Sequence, residues 1–206
     1  MKIESPAFTL DDIRAFMASY RDRERHLLAD RLQRVSDRVA ELGPQVVRAV
    51  NENDPEWNAH ETLAHIAVVS KFYGVLVHRI AGGKVTDLGL LEAVNMRDAA
   101  GRQMADLEPE ELVRQAVADH QRTLKILREA DIASLQNSAR MDDGTPMTAE
   151  EIARLPLISH LEMHVEQLGT MLEDAEARPR TGAERFGEPG GRDAGEATSS
   201  GASESE

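Results

Sequence analysis

The chain has 206 residues, no cysteine, and 37 acidic against 24 basic residues, a formal charge of −13. That length suffices for one domain with a sizeable core, and the missing thiols exclude disulfide scaffolds, thiolate zinc sites, iron–sulfur clusters and an internal cysteine nucleophile. The negative charge repels phosphate backbones and anionic membranes, so nucleic acid and membrane are not expected partners and a small molecule is.

The first residues, Met1-Lys2-Ile3-Glu4-Ser5-Pro6, lack the basic and apolar regions of a signal peptide. No stretch reads as the ~20 apolar residues of a bilayer span, and a cytoplasmic protein is expected. Thr9 and Asp12 resemble a capping box. From there Ile13, Phe16, Met17, Tyr20, Leu27, Leu28, Leu32, Val35, Val39 and Leu42 keep helical spacing until Gly43-Pro44, with an irregularity expected around Arg21 to Arg25. A second helix starts at Asn58, with Glu61 three residues on. It runs through Leu63, Ile66, Val69, Phe72, Leu76 and Ile80 to Gly82-Gly83.

Leu88 to Met104 can form a further helix. The next principal helix starts near Pro109 and carries Leu112, Val113, Val117, Leu124 and Leu127 to about Ala130. The last starts at Thr148, capped with Glu151, and ends near Ala175, kinked or divided at Pro156. No run alternates long enough to read as a strand. Beyond Leu172 there is no Leu, Ile, Val or Met, so residues 176–206 read as a disordered acidic tail behind one domain spanning residues 1–175. Four principal helices on antiparallel paths make this an all-α fold, a helical bundle whose functional groups project inward.

Seven histidines carry the chemistry. His160 and His164 stand four apart on one helix, the spacing that lets two imidazoles chelate one ion. His65 heads the apolar stripe of Val69, Phe72 and Leu76, so its ring is expected to face the interior. Three buried imidazoles without a metal would leave several nitrogens needing partners. The segment from His60 to His65 mimics the zinc-protease motif, but its histidines are five apart, about 140° around a helix, and the protease reading fails. A di-iron site lacks its paired Glu-x-x-His signature.

Around the three candidate ligands, Glu61 either caps the second helix or touches the metal site, and the cap is favoured because Asn-x-x-Glu is what a helix start needs. Gln167, one turn past His164, either reaches a ligand or lines the bundle. His120 is a candidate fourth pocket group, with an exposed surface histidine the safer reading. Trp57 is expected to staple the helix start against Thr62 or Leu63. The run Arg21 to Arg34 is broken by Asp22, Glu24 and Asp30, and reads as a solvated face.

The stretch Trp57-Asn58-Ala59-His60-Glu61-Thr62-Leu63-Ala64-His65-Ile66 resembles the start of the second helix in the DinB-like superfamily. His160-Leu161-Glu162-Met163-His164 is similar to its C-terminal HxxxH element. The resemblance covers roughly Thr9 to Ala175 and extends to the DinB/YfiT-like metalloenzymes related to mycothiol-dependent maleylpyruvate isomerase. It implies an up-down-down-up four-helix bundle, one divalent ion, zinc or nickel, on His65, His160 and His164, and often a homodimer. It also implies an S-transferase or isomerase that uses an exogenous thiol such as mycothiol, bacillithiol or glutathione on a small electrophile. The alternative is a non-catalytic metal- or ligand-binding bundle. Leu161 departs from the family pattern, in which an acidic residue often follows the first histidine of HxxxH.

Overall fold

The structure is a computed structural model that describes residues 9–49, 57–89, 94, 95, 97, 101 and 104–177. It is mostly helical. Helix α1 (Leu10–Leu42) is capped by Thr9, whose hydroxyl accepts from the Asp12 amide while the Asp12 carboxylate accepts from the Thr9 amide. It runs unbroken through Arg21 to Arg25, where an irregularity was expected, because Arg25 is tied to Asp22 within the helix and to the Ala130 carbonyl outside it. The buried residues of α1 all lie between Leu28 and Leu42, so the apolar stripe from Leu10 to Tyr20 is exposed and is not part of the core.

Gly43-Pro44-Gln45 form a single 3-10 turn that ends α1. Gly43 is needed for approach: a Cβ there would collide with Val113. Helix α2 (Ala59–Ala81) opens on the Asn58–Glu61 capping box and stops at Gly82, with Gly83 at φ 65 where a side chain would be strained. Its length and hydropathy meet the requirement for a bilayer span, contrary to the reading of the sequence, yet 67% of that window is buried inside the protein. Helix α2 is thus the central element of the core, flanked by α3 (Pro109–Glu129) and by the C-terminal helices. Gly74 of α2 meets Thr123 of α3 where a Cβ would sit 2.8 Å from the hydroxyl.

Helices α1 and α3 are antiparallel, since Arg25 bonds the Ala130 carbonyl at one end and Arg48 pairs with Glu108 at the other. A short α4 (Ile132–Leu135) leads to a two-stranded hairpin, β1 (Ser138–Arg140) and β2 (Pro146–Thr148), that the sequence pattern does not reveal. Its strands pair Ser138 with Thr148, Ala139 with Met147 and Arg140 with Pro146. Three-residue strands are too short for alternation to register, and the only local signal is Asp142-Asp143-Gly144, with Gly144 at φ 83. Of the helix expected over Leu88 to Met104, the described residues Val94, Asn95, Arg97, Gly101 and Met104 are helical, whereas Leu88 and Gly89 are not, the Leu88 amide bonding the Arg140 carbonyl instead.

Thr148 and Glu151 form a third capping box, also expected, and start α5 (Ala149–Ile152). The chain then widens into a π-helical turn, Ala153–Ser159, and continues as α6 (His160–Ala177). Pro156 lies in the widened turn. It has no amide to offer the carbonyl four residues back, and the π register lets amides five residues on serve instead. Ser159 closes the turn by donating to the Arg154 carbonyl at 2.9 Å, and Arg31 of α1 holds both Ser159 and Glu162. Glu176 and Ala177 belong to α6, so the helix outlasts the expected end by two residues; the remainder of the expected tail lies outside the described residues.

Because α1 and α3 touch through Gly43, Gly43→Ala should lower stability by about 1–3 kcal/mol through overpacking against Val113. Chemical denaturation of the variant beside the parent protein measures it, and an unchanged midpoint would show that Val113 yields freely.

Candidate metal centre

His65 of α2 and His160 and His164 of α6 come together, each offering one ring nitrogen, with all three nitrogens within 4.8 Å of one another. The Nε2 atoms of His65 and His160 are 3.3 Å apart. Two nitrogens bound tetrahedrally to one ion at 2.0–2.1 Å are separated by about 3.4 Å, so this pair already has the spacing of a shared ion. The ring centroids of His65 and His164 lie 4.5 Å apart and those of His160 and His164 4.7 Å.

The outer nitrogens explain why the inner ones face each other. His164 Nδ1 lies 2.9 Å from Gln167 Oε1, and a carbonyl-type oxygen can only accept, so Nδ1 carries the proton and Nε2 a lone pair. The Pro156 carbonyl acts on the His160 ring in favour of its protonated form, and Nε2 of that ring faces His65. The backbone amide of His160 turns to the Leu157 carbonyl, so the wide turn around Pro156 leads directly into the helix that carries His160 and His164.

Burial lowers the pKa of His160, and the neighbouring His164 and Arg97 lower it further against the opposite pull of the Pro156 carbonyl. A neutral imidazole is the form that binds a metal. Lone pairs converging within hydrogen-bond distance repel unless a proton or a cation lies between them. The donor set thus fits one divalent ion that accepts imidazole, zinc and nickel included.

Around the histidines the structure sorts the other candidates. Glu61 is the reciprocal cap, its carboxylate accepting from the Asn58 amide at 3.0 Å, and it also lines a cavity of about 360 Å³ that His65 borders. Gln167 reaches a ligand and does more than line the bundle. Trp57 does not act merely as a staple: its ring lies 4.5 Å from His65 and 5.9 Å from His164. Its signal in the sequence was its place just before the capping box, which fixes the path of the chain toward the first ligand. Arg97, which the sequence did not single out, lines the same cavity and donates to the Tyr73 hydroxyl at 3.4 Å. Leu161 is fully buried in the core.

His120 is not a surface histidine. It is 1% exposed, packed against α2, and outside the three-histidine group. Ser70 donates its hydroxyl proton to the Ile66 carbonyl, so His120 Nε2 donates to Ser70 Oγ at 2.7 Å, and among the described residues His120 Nδ1 has no partner. With its proton committed to the backbone, Ser70 is no activated nucleophile. His60 is also fully buried, with its two ring nitrogens on the Ala49 and Leu107 carbonyls. It faces away from the ligands, as five-residue spacing requires.

Burial pushes His120 down to about 4 from an ordinary 6.5. Between those values the unfolded chain binds a proton that the native chain refuses. The native state is therefore undiminished above pH 6.5 and loses stability as the pH falls to about 4, by about 3 kcal/mol over the full span. Denaturation of metal-free protein across that range should show the slope, and His120→Gln should flatten it. Gln167→Leu should weaken metal binding about 10- to 100-fold while leaving the metal-free protein's stability nearly unchanged, as read by chelator competition and thermal melts.

A sequence model of the DinB superfamily matches residues 12–168, a span that contains all three histidines, both flanking capping boxes and the widened turn. No curated protein and no solved structure matches the chain. With most of its length under that one family model, and with the histidines of its two motifs brought together in space, the chain belongs to the DinB superfamily.

Proposed function

We propose that the protein binds one divalent ion, zinc or nickel, on His65, His160 and His164, and uses it as a thiol-dependent S-transferase or isomerase on a small electrophile. The observation that carries the reading is the cavity of about 360 Å³ beside His65, with Trp57, Glu61 and Arg97 in its wall. A structural metal site is closed by four protein ligands; three imidazoles next to a cavity leave room for an exogenous group. A bound divalent ion would supply the charge that keeps a thiol deprotonated at neutral pH, a nucleophile this cysteine-free chain does not contain.

The chain's own residues do the rest. Gln167 holds the outer proton of His164, fixing which of its nitrogens faces inward. Trp57 sets its indole beside His65 and His164, 4.5 and 5.9 Å away between ring centroids. Arg97 and Glu61 give the cavity one cation and one anion with which to orient a polar substrate. This mixed lining favours catalysis over the simpler alternative, a metal- or ligand-binding bundle with no reaction. In this reading the principal helices take the up-down-down-up order that the family resemblance implies, in a cytoplasmic protein.

Protein purified without chelator should contain one divalent ion per chain, and His160→Ala should lose it. Adding the right thiol to cobalt-substituted protein should shift its visible spectrum and raise its melting temperature by mass action. If mycothiol, bacillithiol and glutathione all leave the spectrum unchanged, the thiol chemistry fails and the metal-binding bundle stands.

A further inference from the structure

Glu24 and Arg31 of α1 stand seven residues apart, two helical turns, so their side chains leave α1 on nearly the same line, about 10 Å from each other. Each meets the opposite charge at one end of the widened turn. Arg154 Nη2 donates to Glu24 at 3.0 Å and to Glu150 at 2.8 Å. Arg31 lays its guanidinium on Glu162 as a fork, Nε donating to Oε1 at 2.8 Å and Nη2 to Oε2, and Nη2 also donates to Ser159 Oγ at 2.9 Å. Ser159 in turn donates to the carbonyl of Arg154, five residues back. The turn Ala153–Ser159 is thus tied to α1 at both of its ends.

These contacts lie behind the ligands. Glu162 is two residues from His160 and two from His164, about 160° around α6 from each, so the fork grips the face of the helix opposite the imidazoles. Neither Arg31 nor Glu24 belongs to the three-histidine group or to the wall of the cavity beside it.

What the two pairs restrain is rotation. A turn with i→i+5 bonds carries one residue more than an α turn, and its reversion to the α register would rotate the helix that follows by about 100°. His160 and His164 would then leave His65. The charges favour one register: sliding the two elements past each other by two turns would face Glu24 with Glu162, or Arg31 with Arg154, like charge against like. Both pairs are only partly buried and contribute little to stability by themselves, whereas a bidentate fork fixes geometry.

We propose that Arg31, with Glu24 as its counterpart, is a positioning residue for the metal centre: from α1 the two pairs hold the widened turn in register and so set the angle at which α6 presents His160 and His164 to His65. This rests on the reading of the three histidines as ligands of one ion. Affinity and geometry at the ion are then governed in part by a helix that contributes no ligand.

Arg31→Met keeps the apolar stem and removes the fork. It should weaken cobalt binding about 10-fold in chelator competition and alter the visible bands of the cobalt-loaded protein. The melting temperature of the metal-free protein should change by no more than about 4 °C. Arg31→Lys, which keeps the charge without the fork, should recover only part of the affinity. The exchanged pair, Arg31→Glu together with Glu162→Arg, should recover more, and Arg31→Glu alone should bind most weakly of the set. A parent chain that takes up no cobalt would overturn the histidine reading and the positioning role with it. Cobalt bound by the parent, with affinity and spectrum unchanged in Arg31→Met, would overturn the positioning role alone. So would affinity lost in step with a large fall in melting temperature and not restored by the exchange, which would make the pair a support of the whole fold.

Discussion

The candidate centre depends on three imidazoles held nitrogen to nitrogen by two helices. His164 turns an unprotonated nitrogen toward the others because its Nδ1 donates to Gln167 Oε1, and Nε2 of His160 meets Nε2 of His65. Neutral imidazoles so arranged repel one another at 3.3 Å unless a cation or a shared proton lies between them. The protein holds them there by the packing of α2 against α6, whose apolar residues, Leu63, Ile66, Leu161 and Leu168 among them, are fully buried. Hydrophobic burial of this kind, worth about 2 kcal/mol per large side chain, holds the three rings in place.

The π turn is the means by which a helix interruption becomes a ligand mount. A proline in a regular helix costs about 3 kcal/mol and leaves a carbonyl without its donor. Here the backbone amide of His160 goes to Leu157, and the Pro156 carbonyl raises the pKa of the His160 ring against the lowering effect of burial. Ser159 satisfies the Arg154 carbonyl, and Arg31 from α1 clamps Ser159 and Glu162. The Arg31–Glu162 pair is partly exposed and contributes modestly to stability. Its larger effect is positional, since it joins the turn carrying His160 to a helix outside the site.

What the sequence disclosed follows from how local the information is. Capping boxes at Thr9, Asn58 and Thr148, the stops at Gly43-Pro44 and Gly82-Gly83, and the His160–His164 pair are each set within four residues, and all are present in the structure. His65 needed only helical phase. What was not legible depends on tertiary partners. His120 and an exposed histidine have the same local sequence; only the approach of Ser70 across α2 buries it. Helical spacing in α1 reads alike whether its stripe faces the core, as from Leu28 onward, or faces outward, as before Tyr20, because periodicity reports a face and not what covers it. Likewise the apolar composition of α2 is the same for a bilayer span and a central core helix, and burial within the protein decides between them.

Trp57 shows how a structural signal and a site signal can share residues. Asn58 and Glu61 satisfy the first amides of α2, and this cap fixes the direction in which the preceding residue leaves the helix. That direction brings the indole over His65 and His164, so the cap contributes to the metal centre without touching it. Glu61 then serves on both accounts, as the cap's carboxylate and as part of the wall of the cavity that Arg97 shares. A change at Glu61 would thus disturb the helix start, the seat of Trp57 and the charge of the cavity together. Loss of function there would not identify a ligand, whereas Gln167, whose Oε1 meets Nδ1 of His164, gives a more direct report on the candidate metal centre.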